Sequence, residues 1–311
     1  MKTRSDAFLG RLAMAAIPSR PWLRIQASSW WTRVLVAGGA RCHSLHDANM
    51  YRLDLIRAEM READLRGASM ISSDLSDPDL RNANLSGADL HLANLSLADL
   101  TGTNLTHANL THADLAHADL THADLAHANL NGANLLNAYM AGANLTGANL
   151  TGAHLPHAKL SNANLSDANL SHADLSHADL ISANLSHADL SHADLISANL
   201  RDANLSNANL SNANLTNAHL SHAHLADANL VGANLRAAYL AGADLVGADL
   251  VGANLDGAHL MDVTWSEQTR WSDDVTAVMR GRSVPIGGGR YRVQGSGNSG
   301  AELSVSPVPV S

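Results

Sequence analysis

The sequence predicts an all-β solenoid, a narrow coil wound many times, on three observations. From residue 48 to residue 260 every fifth residue is Leu or Met, through 43 units without insertion or deletion. Two positions before each stands Ala, except at Leu53, Ser73, Pro78 and Thr103. No charged residue occupies either position anywhere in the stretch.

Period five matches neither the 3.6 of a helix nor the two of a flat strand. Within a unit, Ala and Leu are two apart and share one face of an extended segment. On a straight strand an odd repeat would throw successive Leu onto opposite faces, so the chain must turn a corner once per unit. Every Ala and Leu then points inward and fills the coil, which leaves no lumen. Each coil can bury its Leu only against its neighbours. The position between Ala and Leu is Asn or Asp in 34 of the 43 units. The first repeats are irregular, with Met50, Leu53, Met60, Met70, Ser73 and Pro78 inward and Arg52, Arg57, Arg61, Arg66 and Arg81 outward. They read as an N-terminal cap zone.

Three segments follow: a basic extension over 1–46, the repeat over 47–260, and a C-terminal cap over 261–311. The extension carries seven basic side chains and one acidic. It fits either a transit-type targeting segment or a largely irregular extension with a capping piece near Trp30 and Trp31. Its apolar runs, around 12–19 and 34–40, fall short of the roughly 18–20 residues that span a bilayer, so no transmembrane segment is expected. After Leu260 come Trp265 and Thr269-Arg270-Trp271, then a short helix expected over 273–280. Ser272 suits its N-cap, Asp273 and Asp274 its first turn, and Gly281 its stop. A short strand is expected over 290–294 and disorder over 295–311.

A stretch such as Ala143-Asn144-Leu145-Thr146-Gly147 resembles the pentapeptide-repeat family, whose units read Ala/Ser/Thr-Asp/Asn-Leu/Phe-Ser/Thr/Arg-X. The resemblance covers about two-thirds of the chain. It implies a right-handed, four-sided (quadrilateral) β-helix with one pentapeptide per side. About 43 units then make some ten to eleven coils, about 50 Å long at roughly 4.8 Å per strand. The Trp…Thr-Arg-Trp piece resembles the segment that closes the helix in some bacterial members, with Ser272 where Pro often follows. Some members bind type II topoisomerases by imitating DNA. Those members carry frequent inward Phe and a dimerising C-terminal helix, whereas the inward positions here hold no Phe.

Charge narrows the function. The net charge is −9, and residues 47–260 carry 8 basic against 23 acidic side chains. Such a body repels phosphates, so it is not expected to bind nucleic acid directly. The lone Cys42 excludes an intramolecular disulfide framework and zinc-type Cys pairs, and fits a reducing, cytoplasmic setting. Eleven His occupy the outward position before Ala. If four units make a coil, His107 stacks on His127, His157 on His177 and His172 on His192. Two imidazoles can share a Zn²⁺ or Ni²⁺ ion, but a real site takes three or four ligands, so no metal and no cofactor is expected.

The unit His-Ala-Asp-Leu occurs seven times and places Asp114, Asp119, Asp124, Asp174, Asp179, Asp189 and Asp194 as candidate protein-binding residues. Binding of a basic partner there is expected to weaken as the imidazoles charge, near pH ~6.5. Residues 171–185 and 186–200 are identical, which rotates everything downstream by a quarter turn of a four-sided coil. Catalysis needs groups converging in a desolvated pocket, and a filled coil offers none. The reading is a non-enzymatic scaffold that contacts a protein partner through its outer surface. The alternative is an acidic DNA mimic that regulates a type II topoisomerase or another nucleic-acid enzyme.

Overall fold

The computed structural model describes residues 45–295, and the chain forms two compact units, Met1–Asn149 and Leu150–Ser311. Most of the basic extension, with Cys42, Trp30 and Trp31, and the tail after residue 295 lie outside the described residues.

Both units repeat one local device. The N–H of each inward Ala donates to the Leu carbonyl three residues earlier, as in Ala83 to Leu80 at 3.0 Å and Ala203 to Leu200 at 3.1 Å. Of the two residues between, only the second is left-handed, with φ +55° at Asn82 and +57° at Asp202. That combination is a type II turn, whose third residue needs positive φ. Gly enters that region freely, and Asn, Asp and His enter it more readily than other residues. This is the physical reason why His, Asn, Gly and Asp share the place before Ala.

Between corners, each coil bridges the next in parallel between residues 20 apart, as in Asn84↔Asn104 of the first unit and Asn184↔Asn204 of the second. The backbone donors of one pentapeptide can be followed completely. Asn84 donates to Ala63 of the previous coil at 2.9 Å, and Leu85 and Gly87 donate to Asn104 and Thr106 of the next at 2.7 and 2.9 Å. Ala88 closes the turn onto Leu85 at 3.0 Å. The remaining donor, Ser86 N–H, has no backbone partner and is taken by Asn84 Oδ1 at 3.1 Å. Unpaired buried N–H groups are costly, so an Asx side chain two residues earlier is the local solution.

The interior is Leu on Ala, and Leu90 and Leu190 show no exposed surface. Polar intruders are satisfied. Ser73 and Thr103 donate their hydroxyls to Met50 and Leu80 carbonyls at 2.6 and 2.7 Å. Pro78 has no turn donor to offer, yet its carbonyl still accepts Asp99 N–H at 3.0 Å.

The second unit extends its ladder past Leu260, with Asp244↔Thr264 and then Asp249↔Arg270. Val263 and Trp265 take the inward places, both buried. The second bridge spans 21 residues instead of 20, and Thr269 absorbs the extra one. Its hydroxyl donates to Leu245 O at 2.8 Å and accepts Ser266 N–H at 3.0 Å.

Strand β1 (Thr264–Ser266) is followed by α1 (Asp273–Gly281), β2 (Ser283–Gly287) and β3 (Arg290–Val293), and the strands form an antiparallel sheet ordered β1-β3-β2. Trp271, Val275 and Met279 are buried at successive four-residue spacings, which seats the helix. Trp265 stacks on Tyr291 with centroids 4.7 Å apart and meets Trp271 edge-on at 6.1 Å.

Two details differ from expectation. Ser272 stands at the N-cap, but its hydroxyl accepts from Gly252 N–H at 2.9 Å and not from the helix. Gly281 is the last helical residue and not the stop. Arg282, at φ −103°, closes the helix onto Val278 and Met279 because the chain passes directly into β2, with no left-handed reversal. No helix among the described residues is long and apolar enough to cross a membrane.

Candidate functional site

With both inward positions filled, functional groups can only stand on the outward residues. The seven candidate aspartates lie mid-side and half-buried, each in the capping role just described. Their Oδ1 atoms accept the N–H two residues on, at 3.0 Å for Asp114, 2.9 Å for Asp119 and 3.2 Å for Asp124. In the second unit the distances are 3.0 Å for Asp174, 3.3 Å for Asp179, and 3.0 Å for both Asp189 and Asp194. The next coil adds a donor to three of them: Asn134 to Asp114 and Asn144 to Asp124 at 2.9 Å, and Asn209 to Asp189 at 3.0 Å. Asn fills the same role elsewhere, so Asp adds only its second oxygen and its charge.

These aspartates do not converge on one patch. Asp114, Asp119 and Asp124 stand on three separate ladders of the first unit, and only Asp174 and Asp194 are direct neighbours. The longest acidic ladder is a different one, Glu59–Asp79–Asp99–Asp119. Its signal in the sequence is acid at a 20-residue interval, and of its four residues only Asp119 lies in a His-Ala-Asp unit. Like charges on adjacent strands repel, and arginines offset this ladder. Arg81 pairs with Asp79 and, at 3.1 Å, with Asp99, and Arg61 reaches Asp79 at 3.3 Å. The hydrogen bond from the Arg81 side chain holds the Asp79 carboxyl down at about 2, against the opposing effect of its partial burial. Arg66, forked onto Asp64 at 2.7 Å, likewise lowers that carboxyl.

The corner histidines are exposed, and the expected pairs stack. Ring centroids lie 5.2 Å apart for His107–His127 and 4.9 Å for both His157–His177 and His172–His192, with planes within 13° of parallel. Where the next coil has Gly at the corner, the ring folds over it. Nδ1 of His112 and of His122 lie 2.5 and 2.6 Å from where a Cβ on Gly132 and Gly142 would stand. A further aromatic ladder, His219–Tyr239–His259, stacks at 4.7 Å per step. Among the described residues no group of three or more His, Cys, Asp or Glu is placed to hold a metal ion.

A family model described as pentapeptide repeats matches residues 44–77, 79–116, 118–155, 158–195, 198–236 and 228–264. Among solved structures the chain is similar to HetL of Nostoc sp. strain PCC 7120, a pentapeptide repeat protein involved in heterocyst differentiation regulation. Identity is 38%, covering 72% of this chain and 92% of HetL, at a TM-score of 0.55. It is also similar to the pentapeptide repeat protein Rfr23 of Cyanothece 51142, at 46% identity over 30% of this chain and 64% of that one, with a TM-score of 0.30. Similarity to QnrB1, a plasmid-mediated fluoroquinolone resistance protein, is 18% in identity over 76% of this chain and 99% of that one, with a TM-score of 0.21. No match is found among curated proteins. A sequence model that spans most of the described residues, and a relative matched over nearly its whole length, agree with the coil built from the residues up: the chain belongs to the pentapeptide-repeat family.

Proposed function

We propose that this chain is a non-enzymatic scaffold that holds a protein partner on its outer surface, in the cytoplasm, with its 43 pentapeptides wound as right-handed, four-sided coils. The observation that carries this reading is the division of labour inside one pentapeptide. Two side chains fill the coil and all five backbone donors are consumed, as in residues 84–88. The remaining chemistry is a set of outward side chains that vary from unit to unit, the arrangement of a recognition surface. Acid–base or nucleophilic catalysis needs groups that converge out of water, and these diverge. HetL, a relative matched over 92% of its length, is involved in heterocyst differentiation regulation, which supports regulatory contact here.

The test uses the full chain as bait in lysate of the native host, with captured proteins quantified by mass spectrometry and then purified for direct titration. A saturable complex with one purified protein is expected. Absence of any direct binder would remove the scaffold reading.

The ladder Glu59–Asp79–Asp99–Asp119 favours a second reading, an acidic imitation of DNA that engages a type II topoisomerase or another nucleic-acid enzyme. Arg61 and Arg81 weigh against it. Capture of topoisomerase subunits, lost when Glu59 is changed to Gln and Asp79, Asp99 and Asp119 to Asn, would place this reading first.

A further inference from the structure

One face of the second unit gathers five histidines around two aspartates. His154, Asp174 and Asp194 form a continuous ladder on three neighbouring coils. On one side of it His172 and His192 stack at 4.9 Å with planes 5° apart. On the other, His157 and His177 stack at 4.9 Å with planes 9° apart. His154 Nδ1 lies 3.1 Å from Asp174 Oδ2. All five imidazoles are exposed, so protons reach them freely. The other charged groups that border the two stacks are Asp189 before His192, and Lys159 and Asp179 beyond His157 and His177. The adjoining corners in the unit, Gly152, Asn212 and Ser197, are uncharged.

The sign of this face depends on its imidazoles, a residue type that changes charge near pH ~6.5. With all five neutral, the ladder holds two carboxylates on adjacent strands, and like charges placed so repel. A positive charge on His154 stands 3.1 Å from Asp174 Oδ2 and offsets that carboxylate. In the stacks, charging both rings puts two positive charges about 5 Å apart across a coil-to-coil seam. Full protonation therefore drives the coils of the seam apart.

We propose that this face is a proton-operated seam: the coils carrying His157, His172, His177 and His192 stay packed while the stacked rings are neutral and loosen locally when both rings of a stack are charged. The seam needs no partner, so it stands or falls separately from the scaffold reading.

Hydrogen exchange of the full chain, followed by mass spectrometry in low salt at pH 7.5, 6.5 and 5.0 and corrected for intrinsic rates, tests it. Protection is read at the amides of 171–177 and 191–197. It should fall about tenfold from 7.5 to 5.0 relative to the Asn164–Asn184–Asn204 ladder of the same unit. In the double variant His172→Asn, His177→Asn, which removes one ring from each stack, the fall at 5.0 should vanish. Asn already holds this corner at Asn162, Asn207 and Asn212 with φ +57° to +59°, so the variant keeps its turns. Equal loss of protection on both faces, or an undiminished fall in the variant, overturns the proposal.

Discussion

At the residue scale, each place in the pentapeptide has a distinct physical demand. The inward Leu must be apolar and the inward Ala small. The Asx before Leu must offer an oxygen to the N–H two residues ahead, and Asn94 and Asp99 do this for Ser96 and Thr101 at 3.1 and 3.2 Å. The corner before Ala must accept positive φ. Leu92 and Leu97 meet that last demand poorly, at φ +57° and +61°, and leave 52% and 59% of their surface exposed. A side chain with a Cβ pays roughly 1–2 kcal/mol to be left-handed, less for Asn. Leu97→Asn is therefore expected to raise stability by about 0.5–1 kcal/mol in urea unfolding. A variant that unfolds more easily would show that the Leu97 side chain makes contacts that outweigh its backbone strain.

At the element scale, a corner in every unit was legible, because it follows from a period of five with Ala and Leu two apart. The type II geometry of that corner and the parallel bridges came only with the structure. The stacking of His107 on His127 was legible only through the 20-residue coil that the family resemblance implies. What the repeat could not announce was its own ending. Thr264–Ser266 became a strand because Val263 and Trp265 imitate Ala and Leu in size order without matching their letters, and β2 lacks any alternating pattern in Ser-Val-Pro-Ile-Gly. The scatter of the candidate aspartates over separate ladders follows from the same 20-residue register, because residues five apart fall on successive ladders. Trp265 ties these late elements together through Tyr291, Trp271 and the Nε1 bond to Ser283 at 2.9 Å. Trp265→Ala should cost about 3–5 kcal/mol of local stability. Hydrogen exchange would show this as lost protection over 262–295 with the first unit unchanged, and retained protection there would mean that the sheet and helix hold without the indole.

At the scale of the whole molecule, the repeat makes length and surface independent of one another. The identical segments 171–185 and 186–200 sit in regular turns and bridges with buried Leu on both copies. The core thus accepts added units in steps of five, while outward side chains downstream move to new ladders. A binding surface confined to one unit survives such a change, and one that crosses the duplicated segment does not. The net charge of −9 and the 18 histidines add a second global property, since the sign of the molecule itself reverses as imidazoles charge.

Among the described residues, the backbone bonds between coils reach only the adjacent coil, from Leu85 to Asn104 or from Asn104 to Ala83. Under tension a unit therefore has no bond that clamps several coils at once. Drawn from its ends, it would yield by shedding its outermost coil, then the next, like rope from a drum. Each 20-residue coil pays out about 70 Å of chain. Optical tweezers are expected to record a series of small steps of that length, and a single large rupture would mean that the coils share force more widely than their bonds suggest.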